Sequence, residues 1–174
     1  MFLDESGFLL VPTIRKTWAP RGKTPILKVA GGWTKISSIS AISVSSKKRR
    51  VALYIRFHAE NIRFPKVIGF LKLLLKHLRG GFILLWDRGA SHKAGAVKRF
   101  LKVQPRIRDY YFPGYAPELN PDEFIWMNMK RSVANSVPKD THDLKKLLYS
   151  AACKLKHSSR LLWGCVRASE LPWD

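Results

Sequence analysis

Six of the twelve acidic residues fall in three short groups: Asp4 with Glu5, Asp87, and Glu118 with Asp122 and Glu123. Between Glu5 and Glu60 there is no acid at all, but there are eleven Lys and Arg residues. Acids kept in so basic a chain either cap helices or hold cations against an anionic substrate. Asp4, Asp87 and Glu123 make the candidate cation-holding trio. Carboxylate oxygens are the hard ligands that Mg²⁺ and Mn²⁺ prefer, and a shared site can hold two ions about 3.5–4 Å apart. One ion then lowers the pKa of an attacking water or 3′-hydroxyl, and the other stabilises the oxygen that departs from phosphorus. Each acid also has an ordinary reading. Asp87 before Arg88-Gly89 suits a turn, and Asp4 suits an exposed surface position. Glu123 suits position N3 of a capping box, with Asn120 as N-cap and Pro121 at N1. Spacing alone leaves both readings open.

For acids so far apart to meet, strands and a helix must carry them to one place. Residues 2–4 read as the end of a short strand turned by Ser6-Gly7. Residues 8–12 and 26–29 read as further strands around the loop from Trp18 to Pro25. Residues 36–44 are strand-like, and Val51, Leu53, Ile55 and Phe57 alternate with more polar neighbours, the period of a half-buried strand. Lys47 to Arg50 form a basic hairpin tip between these two. From Pro65 the period becomes helical through Ile68, Leu71, Leu75 and Leu78, and Gly80-Gly81 stops it. Phe82 to Trp86 is a short apolar run of the kind buried on both sheet faces, and it ends on Asp87. A basic helix over 92–102, a strand over 107–112, a loop over 113–120, a helix from Pro121 to Arg131 and a helix over 142–157 capped by Thr141 complete the chain. Strands followed by alternating helix and strand predict an α/β domain, a mixed sheet covered by helices, in which ligands gather beyond the carboxyl ends of strands. Asp4 and Asp87 are expected at those ends.

A chain of 174 residues with 46% hydrophobic content is one domain, residues 1–174, able to bury a core. Its formal charge of +20 favours a polyanion, and nucleic acid fits better than a membrane surface because no basic amphipathic helix or lipid signal stands out. Two cysteines, Cys153 and Cys165, are too few for a disulfide or zinc framework and are expected as buried or half-buried thiols. The start MFLDESGFLL is unlike a secretory signal, and no apolar run approaches a membrane span, so the cytoplasm is the expected compartment.

DESGF (4–8), TWAPRGKTP (17–25), WDRGASHK (86–93) and PGYAPELNPDEFIWMNMKR (113–131) together resemble the catalytic domain of DDE transposases, in particular the mariner-like transposases of bacterial insertion sequences, the insertion-sequence-630 group. The resemblance implies an RNase H-like fold, a five-stranded mixed sheet with helices on both faces. It implies cut-and-paste transposition, in which metal-dependent hydrolysis at element ends is followed by transfer of the 3′-hydroxyl into target DNA, typically at TA. Carried over by motif, the acids are Asp4, Asp87 and Glu123, the last because Asn-Pro-x-Glu falls on Asn120 to Glu123. Residues 88–122, 35 positions, separate the second and third, as expected for the group. They imply two Mg²⁺ or Mn²⁺ ions. Asp122 is expected to point aside, and Arg88 stands where relatives often carry Asn or Gly. The N-terminal helix-turn-helix region of the family is not in this sequence. A separate or frameshift-fused polypeptide is the expected source of end recognition, and a homodimer on DNA, in the bacterial nucleoid, is the expected working state.

Candidate DNA contacts are Arg15, Lys16, Arg21, Lys23, Lys93, Lys130 and Arg131. Trp18 beside Arg21 and Lys23 reads either as an aromatic DNA contact or as part of a packed loop. His92 reads as a group near the scissile phosphate or as a structural histidine, and Trp126 reads as core. Two rivals share these features: an RNase H-like nuclease without transposition, and an inactive truncated copy that binds DNA by charge.

Overall fold

The computed structural model describes residues 1–11, 13–27 and 34–173. Five strands, β1 (Phe2–Leu9), β2 (Lys35–Val44), β3 (Val51–His58), β4 (Phe82–Trp86) and β5 (Ile107–Tyr111), form one sheet in the order β3-β2-β1-β4-β5. The pairs β1–β2 and β2–β3 are antiparallel, whereas β1–β4 and β4–β5 are parallel. The sheet is therefore mixed, with β1 at its centre.

Helices cover both faces, as expected. On one lie α1 (Phe64–His77), α2 (Ala90–Lys93) and α3 (Gly95–Lys102), whose Val67, Phe70, Leu71, Leu74 and Val97 pack on Leu3, Ile39, Leu84 and Trp86. On the other lie α4 (Pro121–Ser132), α5 (Thr141–Lys156) and α6 (Ser159–Ala168), whose Ile125, Trp126, Leu148 and Leu162 pack with Phe2, Phe8, Ile42 and Leu53. The guanidinium of Arg106 donates to the carbonyls of Leu75, Leu78 and Gly80, satisfying the end of α1 where Gly80-Gly81 stops it.

Several boundaries differ from the sequence reading. Ser6-Gly7 is not a turn: β1 continues through it, with Ser6 opposite Ser38 and Gly7 opposite Ser37. Pairing along the whole of β2 overrides the local turn preference of Ser-Gly. Asp4 therefore lies inside a central strand, not at a strand end. Ile26 and Leu27 are not in a strand, while Pro12, Lys28 and Val29 lie outside the described residues. The helix expected over 92–102 is two, broken at Ala94, whose ψ of 136° is extended. Asp140, not Thr141, caps α5, its side chain accepting the N–H of Asp143 at 2.8 Å. The helix α6 was not anticipated. Cys165 is buried, but Cys153 is exposed, because the buried stripe of α5 runs through Leu144, Leu148, Ala151, Ala152 and Leu155.

Candidate active site

Alternation along β1 sends its two neighbouring acids to opposite faces of the sheet. Asp4 goes with Phe2 and Phe8 toward α4, and Glu5 goes with Leu3 toward α2. Asp4 is only 8% exposed, and its Oδ2 accepts a hydrogen bond from Trp126 Nε1 at 3.0 Å. Glu123 precedes Trp126 by three positions on α4, so the helix face that delivers the indole also delivers that carboxylate. Burial first, and then repulsion by Glu123, raises the Asp4 carboxyl from its ordinary value to about 7.

The ordinary reading of Glu123 fails on its hydrogen bonds. A capping box needs the Asn120 N–H to donate to the Glu123 side chain, yet that N–H donates to the Pro117 carbonyl at 3.0 Å. Asn120 does cap α4, accepting the Asp122 N–H at 3.2 Å. Glu123 takes no part in that cap. Asp122 is fully buried against the face of the sheet that also carries Asp4, with Oδ1 accepting from the hydroxyl of Ser40, the residue opposite Asp4 in the β1–β2 register. Burial raises its carboxyl well above the usual range, favouring the neutral acid.

Asp87 follows the last residue of β4, as expected. Phe2 pairs with Leu85 in parallel register, and two residues further along each strand stand Asp4 and Asp87. Asp87 Oδ1 accepts the Gly89 N–H at 2.9 Å and lies 2.6 Å from His92 Nδ1. A Cβ at position 89 would lie 3.0 Å from that same oxygen, so any other residue would push the carboxylate by a few tenths of an ångström. The hydrogen bond from His92 holds the Asp87 carboxyl below its usual range, against the opposing effect of partial burial.

His92 is 1% exposed and stacks on Trp86, with ring centroids 4.5 Å apart and planes at 17°. Its second nitrogen, Nε2, lies 2.8 Å from Glu5 Oε1. Burial alone would lower its pKa, but the bonds to Asp87 and Glu5 outweigh that and raise it to about 10. The ring is thus an imidazolium at neutral pH, donating to both carboxylates.

The three predicted acids are accordingly carried by the central strand, the end of its neighbour and the helix packed across them. Asp4 and Glu123 share one face, and Asp87, just past the end of the neighbouring strand, follows Leu85 as Asp4 follows Phe2, with one oxygen committed to His92. Among the described residues, the one group of three metal-capable side chains with ligand atoms all within 4.8 Å is Asp140, His142 and Asp143. Asp4, Asp87 and Glu123 are spaced more widely than that. The Asp140 group belongs to the cap of α5. Sequence reading missed Glu5 as a partner of the site and the Trp126 bond to Asp4. The alternation of β1 signals that Glu5 faces away from Asp4, but nothing in the sequence pairs it with His92.

All seven candidate DNA-contacting cations, Arg15, Lys16, Arg21, Lys23, Lys93, Lys130 and Arg131, are exposed, and among the described residues none is in an ion pair. Trp18 is 100% exposed, which excludes the packed-loop reading. Its segment is fastened at the base by Asn135, whose side chain accepts the Arg15 N–H at 2.8 Å and donates to the Arg15 carbonyl at 3.0 Å. No helix among the described residues is long and apolar enough to cross a membrane.

Residues 1–145 match the family model described as DDE superfamily endonuclease. No curated protein matches the chain in sequence. The fold is similar to that of the Mos1 transposase paired-end complex with left transposon end, at 17% identity and a TM-score of 0.62, covering 97% of this chain and 55% of that one. It is similar to the Mos1 mariner paired end complex with Mn, at 17% identity and a TM-score of 0.60, covering 99% of this chain and 56% of that one. Against the catalytic domain of Mos1 mariner transposase the values are 14% identity and 0.53, covering 99% of this chain and 83% of that one. The likeness is one of fold, the RNase H-like arrangement, and the chain spans about half the length of the transposase chains first matched.

Proposed function

Because the chain belongs to the DDE superfamily endonuclease family, we propose that it is the catalytic domain of a transposase of the mariner-like insertion-sequence branch, with Asp4, Asp87 and Glu123 as its catalytic and metal-holding acids. The observation that carries this reading is a buried Asp4 in the central strand with Glu123 of α4 near it: burial first, and repulsion by Glu123 second, raise the Asp4 carboxyl to about 7. Two acids folded against each other in a chain of charge +20 are short of a local counter-charge, and all the donors are hard carboxylate oxygens, so the set fits Mg²⁺ or Mn²⁺. Two such ions would supply a lowered pKa for the attacking water or 3′-hydroxyl and stabilisation of the departing oxygen.

The chain's own residues bind and orient. Trp126 and the backbone of β1 fix Asp4, Gly89 and His92 fix Asp87, and the start of α4 fixes Glu123. The exposed cations, Lys93 close to Asp87 and Arg15, Lys16, Arg21, Lys23, Lys130 and Arg131 elsewhere on the surface, hold backbone phosphates of element ends and target DNA. A homodimer on DNA, end recognition by a separate or frameshift-fused helix-turn-helix polypeptide, and a place in the cytoplasm at the bacterial nucleoid complete the proposal.

Asp87→Asn or Glu123→Gln is expected to abolish metal-dependent nicking of DNA while leaving DNA affinity largely intact. Variants that cut as well as the parent would overturn the assignment. Joining of pre-cut element ends to target DNA separates a transposase from a plain nuclease of the same fold, since the latter yields cut strands and no joined product.

A further inference from the structure

The His92 ring is an almost wholly enclosed polar group outside the three acids. It is 1% exposed, yet it sits on α2, a helix of only four residues that could not by itself hold an imidazole in place. Three contacts from three other places hold it. Trp86 at the end of β4 stacks beneath it, Glu5 in β1 meets Nε2 at 2.8 Å, and Asp87 meets Nδ1 at 2.6 Å. The Asp87 backbone carbonyl also lies 3.2 Å from Nδ1. Glu5 is therefore attached to the opposite side of β1 from Asp4, while the ring reaches from Glu5 around to Asp87.

We propose that His92, anchored by Glu5, is a positioning residue that fixes the orientation of the Asp87 carboxylate for metal binding. The inference rests on Asp87 being a metal ligand. An exposed aspartate at a strand end has free rotation about two side-chain bonds, and half of its side chain faces solvent here. With Oδ1 held by Gly89 and His92, the carboxylate plane is set and Oδ2 is the oxygen left for a metal. Hydrogen-bonding partners of ligating carboxylates commonly govern metal affinity by about 10- to 100-fold. The stack on Trp86 sets the ring plane, and Glu5 sets its rotation, so neither contact is redundant.

Mn²⁺ titration of the full chain by calorimetry, with no DNA present, tests this. His92→Phe keeps the stack on Trp86 and removes both polar contacts, and it is expected to weaken Mn²⁺ binding about tenfold. His92→Asn keeps a donor close to the position of Nδ1 and is expected to recover most of that loss, whereas Glu5→Gln is expected to fall between the two. A His92→Phe protein that melts like the parent and binds Mn²⁺ with parental affinity, while Asp87→Asn binds it weakly, would overturn the inference and leave the metal site standing. If Asp87→Asn also binds as the parent does, the metal-ligand reading itself falls and the inference with it. If His92→Phe does not fold, Glu5→Gln decides alone: parental Mn²⁺ affinity in that variant overturns the proposal.

Discussion

Trp126 Nε1 and Asp4 Oδ2 stand 3.0 Å apart, joining helix α4 to the central strand across 122 residues of sequence. A buried carboxylate with a single side-chain donor depends on it. Trp126→Phe keeps most of the ring volume and removes that donor. At about pH 8 it is expected to destabilise the chain by roughly 1–2 kcal/mol in urea unfolding and to move the Asp4 titration upward. An unchanged unfolding midpoint would show that the bond contributes nothing.

The Asp4 carboxyl is raised from 3.8 to about 7, so the folded chain keeps a proton that the unfolded chain releases. Its contribution to stability is full below about pH 4 and is lost as pH rises through about 7. The melting temperature of the metal-free protein is expected to fall over that window. Asp4→Asn is expected to flatten the fall, leaving the part due to Asp122, which is shifted in the same direction. Mn²⁺ is expected to raise the melting temperature more at about pH 8 than at about pH 5, where Asp4 is protonated.

His92 acts at higher pH. Its pKa is raised from 6.5 to about 10, so its ion pairs contribute fully below pH 6.5 and are lost as pH climbs through about 10. His92→Asn is expected to remove this alkaline loss, a difference visible in melting curves taken between about pH 7 and 10. Parallel curves for the two proteins would contradict it.

Arg21 and Lys23 lie in an exposed segment with Trp18. Arg21→Ala with Lys23→Ala is expected to leave the melting temperature unchanged and to reduce the slope of log affinity for duplex DNA against log salt by about 1 for each phosphate no longer neutralised. An identical slope would place the DNA elsewhere.

Asn135 adopts φ 58°, a left-handed conformation that Asn tolerates better than most residues, and fastens the same segment through Arg15. Asn135→Ala is expected to speed proteolysis within residues 13–27 several-fold with little loss of global stability. Equal cleavage rates would show that the fastening is dispensable.

Much of this was legible in the sequence, because it depended on local pattern. The alternation of Val51 to Phe57, the helical spacing from Ile68 to Leu78 and the apolar run Phe82 to Trp86 each record which side of an element is buried. Charge, the four motifs and the order of elements were enough to indicate a mixed sheet and to nominate three acids as candidates. What the sequence left open turned on contacts between distant segments. Ser6-Gly7 looks like a turn until β2 pairs along it. Glu123 looks like a cap until the Asn120 N–H is seen bonded to Pro117. Glu5 is an unremarked neighbour of Asp4 until β1 becomes the central strand, with a helix layer on each side. A strand's pleat turns consecutive residues to opposite faces, and only the folded sheet determines what waits on each: Trp126 and Glu123 for Asp4, His92 for Glu5.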